Sequence, residues 1–231
     1  MKNKRMLVAT VCSLLLSTAV QANSMDPVSD SEVSRAKSLA QVAASAPAVS
    51  IFSSRSARVA VQSEDTATTP TVEFLRVEAH RFDKNDPNIG QRWADVTSYD
   101  YATDELIIAV VNLDTDKVIS TKRHKDMQPP MSQAELTRAL NIVMDDPEER
   151  SILNAEYKRI TGDSLNSIDQ LNYKAFTFFA DSMPNVVNSA SSSCGAQRCA
   201  QLMLYTHDNI VFEVSPIVNL SAGVVTQRMG Y

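Results

Sequence analysis

Apolar and polar positions follow two rhythms along this chain, and the change from one to the other happens twice. From Leu136 the apolar residues fall at i, i+3, i+4 and i+7 (Leu136, Ala139, Leu140, Val143), which predicts an amphipathic helix. Asp145-Asp146-Pro147 caps and restarts it, Leu153, Tyr157 and Ile160 carry the next stripe, and Gly162 ends it. Nearer the N-terminus, Val33, Ala36, Ala40 and Ala43 mark a weaker helix. After each helical stretch the period shortens to two. Val72–Arg81, Trp93–Tyr101, Leu106–Leu113 and Val118–Arg123 read as one set of strands, and Tyr173–Ala180, Ala200–Thr206, Val211–Asn219 and Val224–Arg228 as another. Ile107, Ala109, Val111 and Leu113 give the alternation of a half-buried strand. Asp114-Thr115-Asp116-Lys117 and Ser221-Ala222-Gly223 supply hairpin turns. Ser45 to Pro70, rich in Ala, Ser and Thr without a steady period, predicts a flexible loop with partial strands at Val49–Phe52 and Arg58–Val61.

The two halves also share words. Pro27-Val28-Ser29-Asp30-Ser31-Glu32-Val33-Ser34-Arg35-Ala36 matches Pro130-Met131-Ser132-Gln133-Ala134-Glu135-Leu136-Thr137-Arg138-Ala139, with Pro, Ser, Glu, Arg and Ala at identical spacing. Each copy holds Ser-x-x-Glu ahead of an apolar run, the capping box in which Ser takes the N3 amide and Glu reaches back to the Ser amide. Further on, Arg92-Trp93-Ala94-Asp95-Val96 aligns with Arg198-Cys199-Ala200-Gln201-Leu202, Tyr99 with Tyr205, and Val111-Asn112-Leu113 with Val218-Asn219-Leu220. Such self-similarity predicts an α+β chain of two tandem units, each one long helix packed on a four-stranded antiparallel sheet. The boundary falls near Gln128-Pro129-Pro130, giving units 23–128 and 129–231.

The first 22 residues follow a different logic. A basic start (Lys2, Lys4, Arg5) precedes the apolar run Met6–Val20, too short to favour a spanning helix, and Val20-Gln21-Ala22 supplies small residues for cleavage after Ala22. Residues 1–22 are thus expected to be a signal peptide, and the product periplasmic or extracellular, with no membrane span after cleavage. Loss of the three cations takes the net charge from −5 to −8, which argues against a nucleic-acid partner. Export also settles the cysteine arithmetic. Cys12 leaves with the leader, and Cys194 and Cys199 remain as a pair expected to form a disulfide in an oxidising compartment.

Asp26-Pro27-Val28-Ser29 with Glu32, Arg92-x-Ala94-Asp95-Val96, Ala109-Val110-Val111-Asn112-Leu113, Gln128-Pro129-Pro130-Met131-Ser132 and Asp145-Asp146-Pro147-Glu148 together resemble the non-catalytic N-terminal (N2/N3-like) domains of copper amine oxidases. The resemblance implies two tandem cystatin-like α+β units without the catalytic β-sandwich. It does not carry over the chemistry. The family builds its quinone cofactor from the Tyr of Asn-Tyr-Asp/Glu and holds copper by His-x-His and a later His. Here Asn172-Tyr173 is followed by Lys174, and His80, His124 and His207 are scattered.

Other chemistry is equally thin. The three histidines lack the spacing of a metal site. The run Ser189–Ser193 is loop-like in composition, and no Gly-x-Ser-x-Gly elbow occurs. Five glycines, none grouped, build no phosphate loop. Asp145, Asp146, Glu148 and Glu149 suit a helix N-terminus, and Lys122-Arg123-His124-Lys125 reads as a solvated strand edge. No Gln-x-Val-x-Gly loop of a cystatin-type protease inhibitor is present. The sequence therefore predicts no catalytic residue, no metal and no cofactor, and an exported, non-catalytic protein that binds a protein or small-molecule partner. The alternative is an accessory or divergent partner of a copper/quinone amine oxidase. The expected outcome for the cysteines is direct: the unreduced exported protein resists thiol alkylation at Cys194 and Cys199 until a reductant is added, as peptide mass spectrometry would show.

Overall fold

A computed structural model of the protein describes residues 24–45 and 71–230, the side chains of 42–45 excepted. The expected leader, its cleavage point, Cys12 and the partial strands at Val49–Phe52 and Arg58–Val61 lie outside the described residues. In chain order the elements are α1 (Asp30–Ser45), β1 (Val72–Ala79), β2 (Trp93–Asp100), β3 (Glu105–Asn112), β4 (Lys117–Lys125), α2 (Gln133–Asp145), α3 (Pro147–Thr161), β5 (Leu171–Thr177), β6 (Cys199–Thr206), β7 (Val214–Asn219) and β8 (Val224–Gly230). The strands form two four-stranded antiparallel sheets with sequential order, β1 to β4 and β5 to β8. The architecture is α+β.

One long helix per unit is not what accompanies the second sheet. Two helices meet there at Asp146, whose backbone is extended (φ −74°, ψ 118°) and breaks the helical path. Its N–H still bonds to Ile142 O, closing α2, while its carboxylate accepts from the N–H groups of Glu148 and Glu149, opening α3 with Pro147 beside it. Several strand limits also differ from expectation by one to three residues, β1 ending at Ala79 rather than Arg81 and β5 beginning at Leu171 rather than Tyr173 among them. The run expected to reach Ala180 stops at Thr177, because Ala180–Ser182 coils into a 3-10 turn. The run expected from Val211 begins at Val214, after Asn209 has turned the chain at φ 64°. Val211 keeps only an isolated bridge to Tyr205.

Small residues let α1 lie close on its sheet. Ala36 and Ala40 pack against Ala94, Val96, Ala109, Val111 and Leu113. Tyr99, Tyr101 and Leu106 fall on the opposite parity of β2 and β3, hence on the other face. There they join the second core, with Ala139, Leu140, Val143, Leu153, Leu202, Leu204 and Leu220. The first sheet is therefore covered by α1 on one face and partly by α2, α3 and the second sheet on the other.

Both halves are tied by the same clamp. Arg92 Nε and Nη2 donate to the two carboxylate oxygens of Glu32 at 2.8 and 2.9 Å, and its remaining donors reach Asp26 O at 2.6 Å and Pro27 O at 3.0 Å. Arg198 repeats this with Glu135 at 2.7 and 2.9 Å, Pro129 O at 2.6 Å and Pro130 O at 3.2 Å. The glutamates are those of the capping boxes: Ser29 N–H and Ser132 N–H each donate to the same carboxylate at 2.8 Å. Around the arginines, Asn112 and Asn219 donate to Gln91 and Gln197. Leu113 N–H and Leu220 N–H each donate 2.8 Å to the arginine carbonyl. One planar, bidentate guanidinium thus joins helix start, preceding loop and second strand.

Burial separates the two clamps. Arg198 and Glu135 are fully inaccessible, whereas the Arg92 and Glu32 side chains keep 7% and 15% exposure. The Arg92 bonds hold the Glu32 carboxyl down at about 2. Burial alone would raise Glu135, but the bonds from Arg198, Ser132 N–H and Tyr101 leave it below its ordinary value. Removing one partner of such a pair leaves an uncompensated buried charge. Glu135→Ala is expected to destabilise the protein by about 3–5 kcal/mol and Glu32→Ala by less, measured by urea unfolding.

Candidate functional site

A dense polar constellation lies where the first sheet meets α2. Tyr101 follows the last residue of β2, and its hydroxyl sits 2.8 Å from Glu135 Oε1 and 3.1 Å from Glu73 Oε2 of β1. Arg138, one turn along α2 from Glu135, donates through Nη1 to Glu73 Oε2 at 2.5 Å. Its guanidinium carbon stands 4.4 Å from the centre of the Tyr101 ring, a cation–π contact. Gln128 in the connecting segment donates to Tyr99 Oη at 3.2 Å, and Ser221 donates to Asp104 Oδ1. Burial raises the Tyr99 phenol to about 12. Burial, followed by the Glu135 charge, carries Tyr101 well above the usual phenol range. These tyrosines are neutral donors at any physiological pH.

A groove opens above this junction. The stripe of α2 facing away from Ala139, Leu140 and Val143 meets the β7–β8 turn around a space of about 1100 Å³. Its walls are mixed: Thr137, Arg138, Asn141 and Asp145 beside Ile142 and the half-exposed Val224. Arg138 Nε and Nη2 are buried and make no hydrogen bond among the described residues. A smaller hollow of about 670 Å³ lies at the β1 edge, where His80 Nδ1 bonds Asp95 at 2.7 Å. The His80 ring packs on Phe82 and Trp93 with centroids 4.9 and 5.6 Å away. That surrounding fixes the imidazole between two aromatic rings and one carboxylate.

Of the residues weighed from sequence, Asp145 and Asp146 line the groove and the others fall outside its lining. Tyr173 lies on β5, its hydroxyl 3.3 Å from Thr137 Oγ1. His124 sits on β4 at the sheet edge, and His207 Nε2 contacts Asp169 O at 3.0 Å. Among the described residues no group of three or more His, Cys, Asp or Glu is arranged to hold a metal ion. Arg123 in the basic run is held by Asp100 and Glu105, both at 3.0 Å. Ser191 is buried and bonds Thr226 Oγ1 at 2.8 Å. Glu148 and Glu149 do more than favour a helix start, since both bind Arg228 of β8 and pin α3 to the last strand. Cys194 and Cys199 are joined, with Cα atoms 5.4 Å apart. They pack with Phe178, Ile217 and Met229 behind the second sheet.

Sequence reasoning found Glu135 and Arg198 as repeated letters and missed their contact. Glu73 and Tyr101 carried no motif. Arg138 did carry a signal, as the counterpart of Arg35, but nothing in the periodicity distinguishes their roles.

No family model matches the chain, and neither does any curated protein sequence. Among solved structures it is similar to a copper-containing benzylamine oxidase from Hansenula polymorpha, at 12% identity and a TM-score of 0.49. The match covers 90% of this chain and 30% of that enzyme, so the chain spans less than a third of its length. A likeness at that level carries no residue of the enzyme's chemistry to this chain. Among the described residues, no helix is long and apolar enough to cross a membrane. The junction tyrosines give a readout of its burial. In an alkaline titration followed by phenolate absorbance, Tyr99 and Tyr101 are expected to stay protonated at about pH 11, where free phenols have ionised. Tyr99→Phe and Tyr101→Phe should leave the main titration step unchanged.

Proposed function

We propose that this chain is an exported, non-catalytic binding protein. In this reading it consists of two tandem cystatin-like units, 23–128 and 129–231, similar to the N2/N3-like pair of copper amine oxidases, and recognises its partner through the groove on α2. The observation that carries the reading is how polar groups are divided between two places. Glu135 and Arg198 at the junction are committed to one another as a structural pair, whereas the α2 stripe presents Thr137, Arg138, Asn141, Asp145 and Ile142 to a space of ligand size. The short spacer between Cys194 and Cys199 suits a staple holding the back of the second sheet, with a stabilising effect of about 2 kcal/mol by loop length.

The test uses the mature chain, immobilised and exposed to an envelope extract of the exporting cell. The double variant Asn141→Arg, Val224→Glu is expected to lose a component that both the native protein and a Lys122→Glu control retain. Equal retention by the groove variant would overturn the assignment of the surface. Hydrogen peroxide released from a primary amine in a copper- and Tyr173-dependent manner would overturn the non-catalytic reading.

A further inference from the structure

The two helices carry the same arginine, and the two halves use it differently. In the first half, Arg35 crosses to the β3–β4 turn. Its Nη2 donates to Leu113 O at 2.5 Å and its Nε pairs with Asp116 Oδ1 at 3.1 Å. The matching residues of the second half are Arg138, Leu220 and Gly223. Asp116 and Gly223 occupy the same left-handed turn position, at φ 53° and 70°. Only the first offers a carboxylate. Arg138 bends instead toward Glu73 of the other unit, using Nη1 alone, and leaves Nε and Nη2 without a hydrogen bond among the described residues. Gly223 lines the α2 groove together with Arg138.

We infer that the α2 groove binds a carboxylate, which pairs with Arg138 in the place that Asp116 fills for Arg35. Two further features specify the rest of the ligand. Asp145 lines the same groove seven residues along α2, about 10 Å from Arg138 at 1.5 Å per residue. Ile142 and Val224 lie in the wall of the same groove. A ligand with a carboxylate at one end, an ammonium at the other and an apolar middle matches that order. An extended tripeptide with free termini spans about 10 Å. The buried Nε and Nη2 come to the groove by rotation of the side chain away from Glu73 and the Tyr101 ring, so binding competes with both contacts. This inference names the ligand class for the groove and rests on the binding reading above.

The probe is trialanine with free termini, titrated calorimetrically into the mature protein alongside its C-terminally amidated and N-acetylated forms. Amidation is expected to weaken binding about tenfold or more, the scale of one lost charge-assisted hydrogen bond, and acetylation to weaken it less. Gly223→Asp supplies the missing carboxylate from the chain itself, in a turn where Asp116 already adopts the required φ. That variant should fold with an unchanged melting temperature or a higher one and lose trialanine binding, and the Arg138 Nε–H signal in NMR should shift toward that of Arg35. Arg138→Lys, which keeps charge without the fork, should bind more weakly than native. Equal binding of free and amidated peptide, or undiminished binding by Gly223→Asp, overturns the inference. If native protein ignores trialanine while the Asn141→Arg, Val224→Glu variant still loses its envelope component, the carboxylate assignment falls and the groove stands. If trialanine binds in a Gly223→Asp-sensitive manner and that variant keeps the component, the carboxylate site stands and the partner reading falls.

Discussion

A glutamate three residues into a helix and an arginine at the head of a distant strand meet in a bidentate pair, once in each half of this molecule. The glutamate serves two masters, since the same carboxylate closes the capping box on Ser29 or Ser132. Its orientation is therefore set within the first turn of its own helix. The arginine meets a fixed partner there, and its spare donors satisfy carbonyls of the segment leading into the helix. Helix, loop and sheet are indexed to one another by a single planar group. Lysine would supply the charge but not the fork.

The same clamp sits in different surroundings in the two halves, and the difference comes from the junction. Tyr99, Tyr101 and Leu106 leave the far face of the first sheet to complete the second core. In doing so they seal Glu135 and Arg198 from water, while Glu32 and Arg92 stay partly wet. A sealed pair contributes little by itself but is costly to break. The second clamp is thus the point through which stability of one half depends on the other. Glu73, Tyr101 and Arg138 extend it into a chain of polar contacts across the interface.

Commitment of these groups to structure also shapes the functional picture. Acids and cations that would attract attention as chemistry are held at hydrogen-bond distance by one another, at both clamps and at the Arg228 contact with Glu148 and Glu149. What is left over lies on the outer stripe of α2. There the two halves differ at one turn position, Asp116 against Gly223, and the arginine of each helix has a different partner, Asp116 for Arg35 and Glu73 for Arg138.

Much of this was legible in the chain itself. Periodicity of 3.6 against 2 gave the order of helices and strands, since a face buried against a neighbour must be apolar at the spacing of its own element. The capping boxes and the Asp-Pro restart were local and could be read as words, as could the recurrence of Arg92 and Arg198. The strand ends at Thr177 and Val214 were not, because a 3-10 turn and the turn at Asn209 override an apolar run that would otherwise continue. Nor could the chain announce that Glu135 meets Arg198, or that the Tyr101 hydroxyl reaches both Glu135 and Glu73. Those contacts join residues 28 to 63 positions apart, and no local rule connects them. The sequence by itself determined the elements and their order. Only the tertiary structure decided which clamp is sealed and which arginine is left with unused donors, because burial and hydrogen-bond partners belong to the packing of the two halves and not to either one alone.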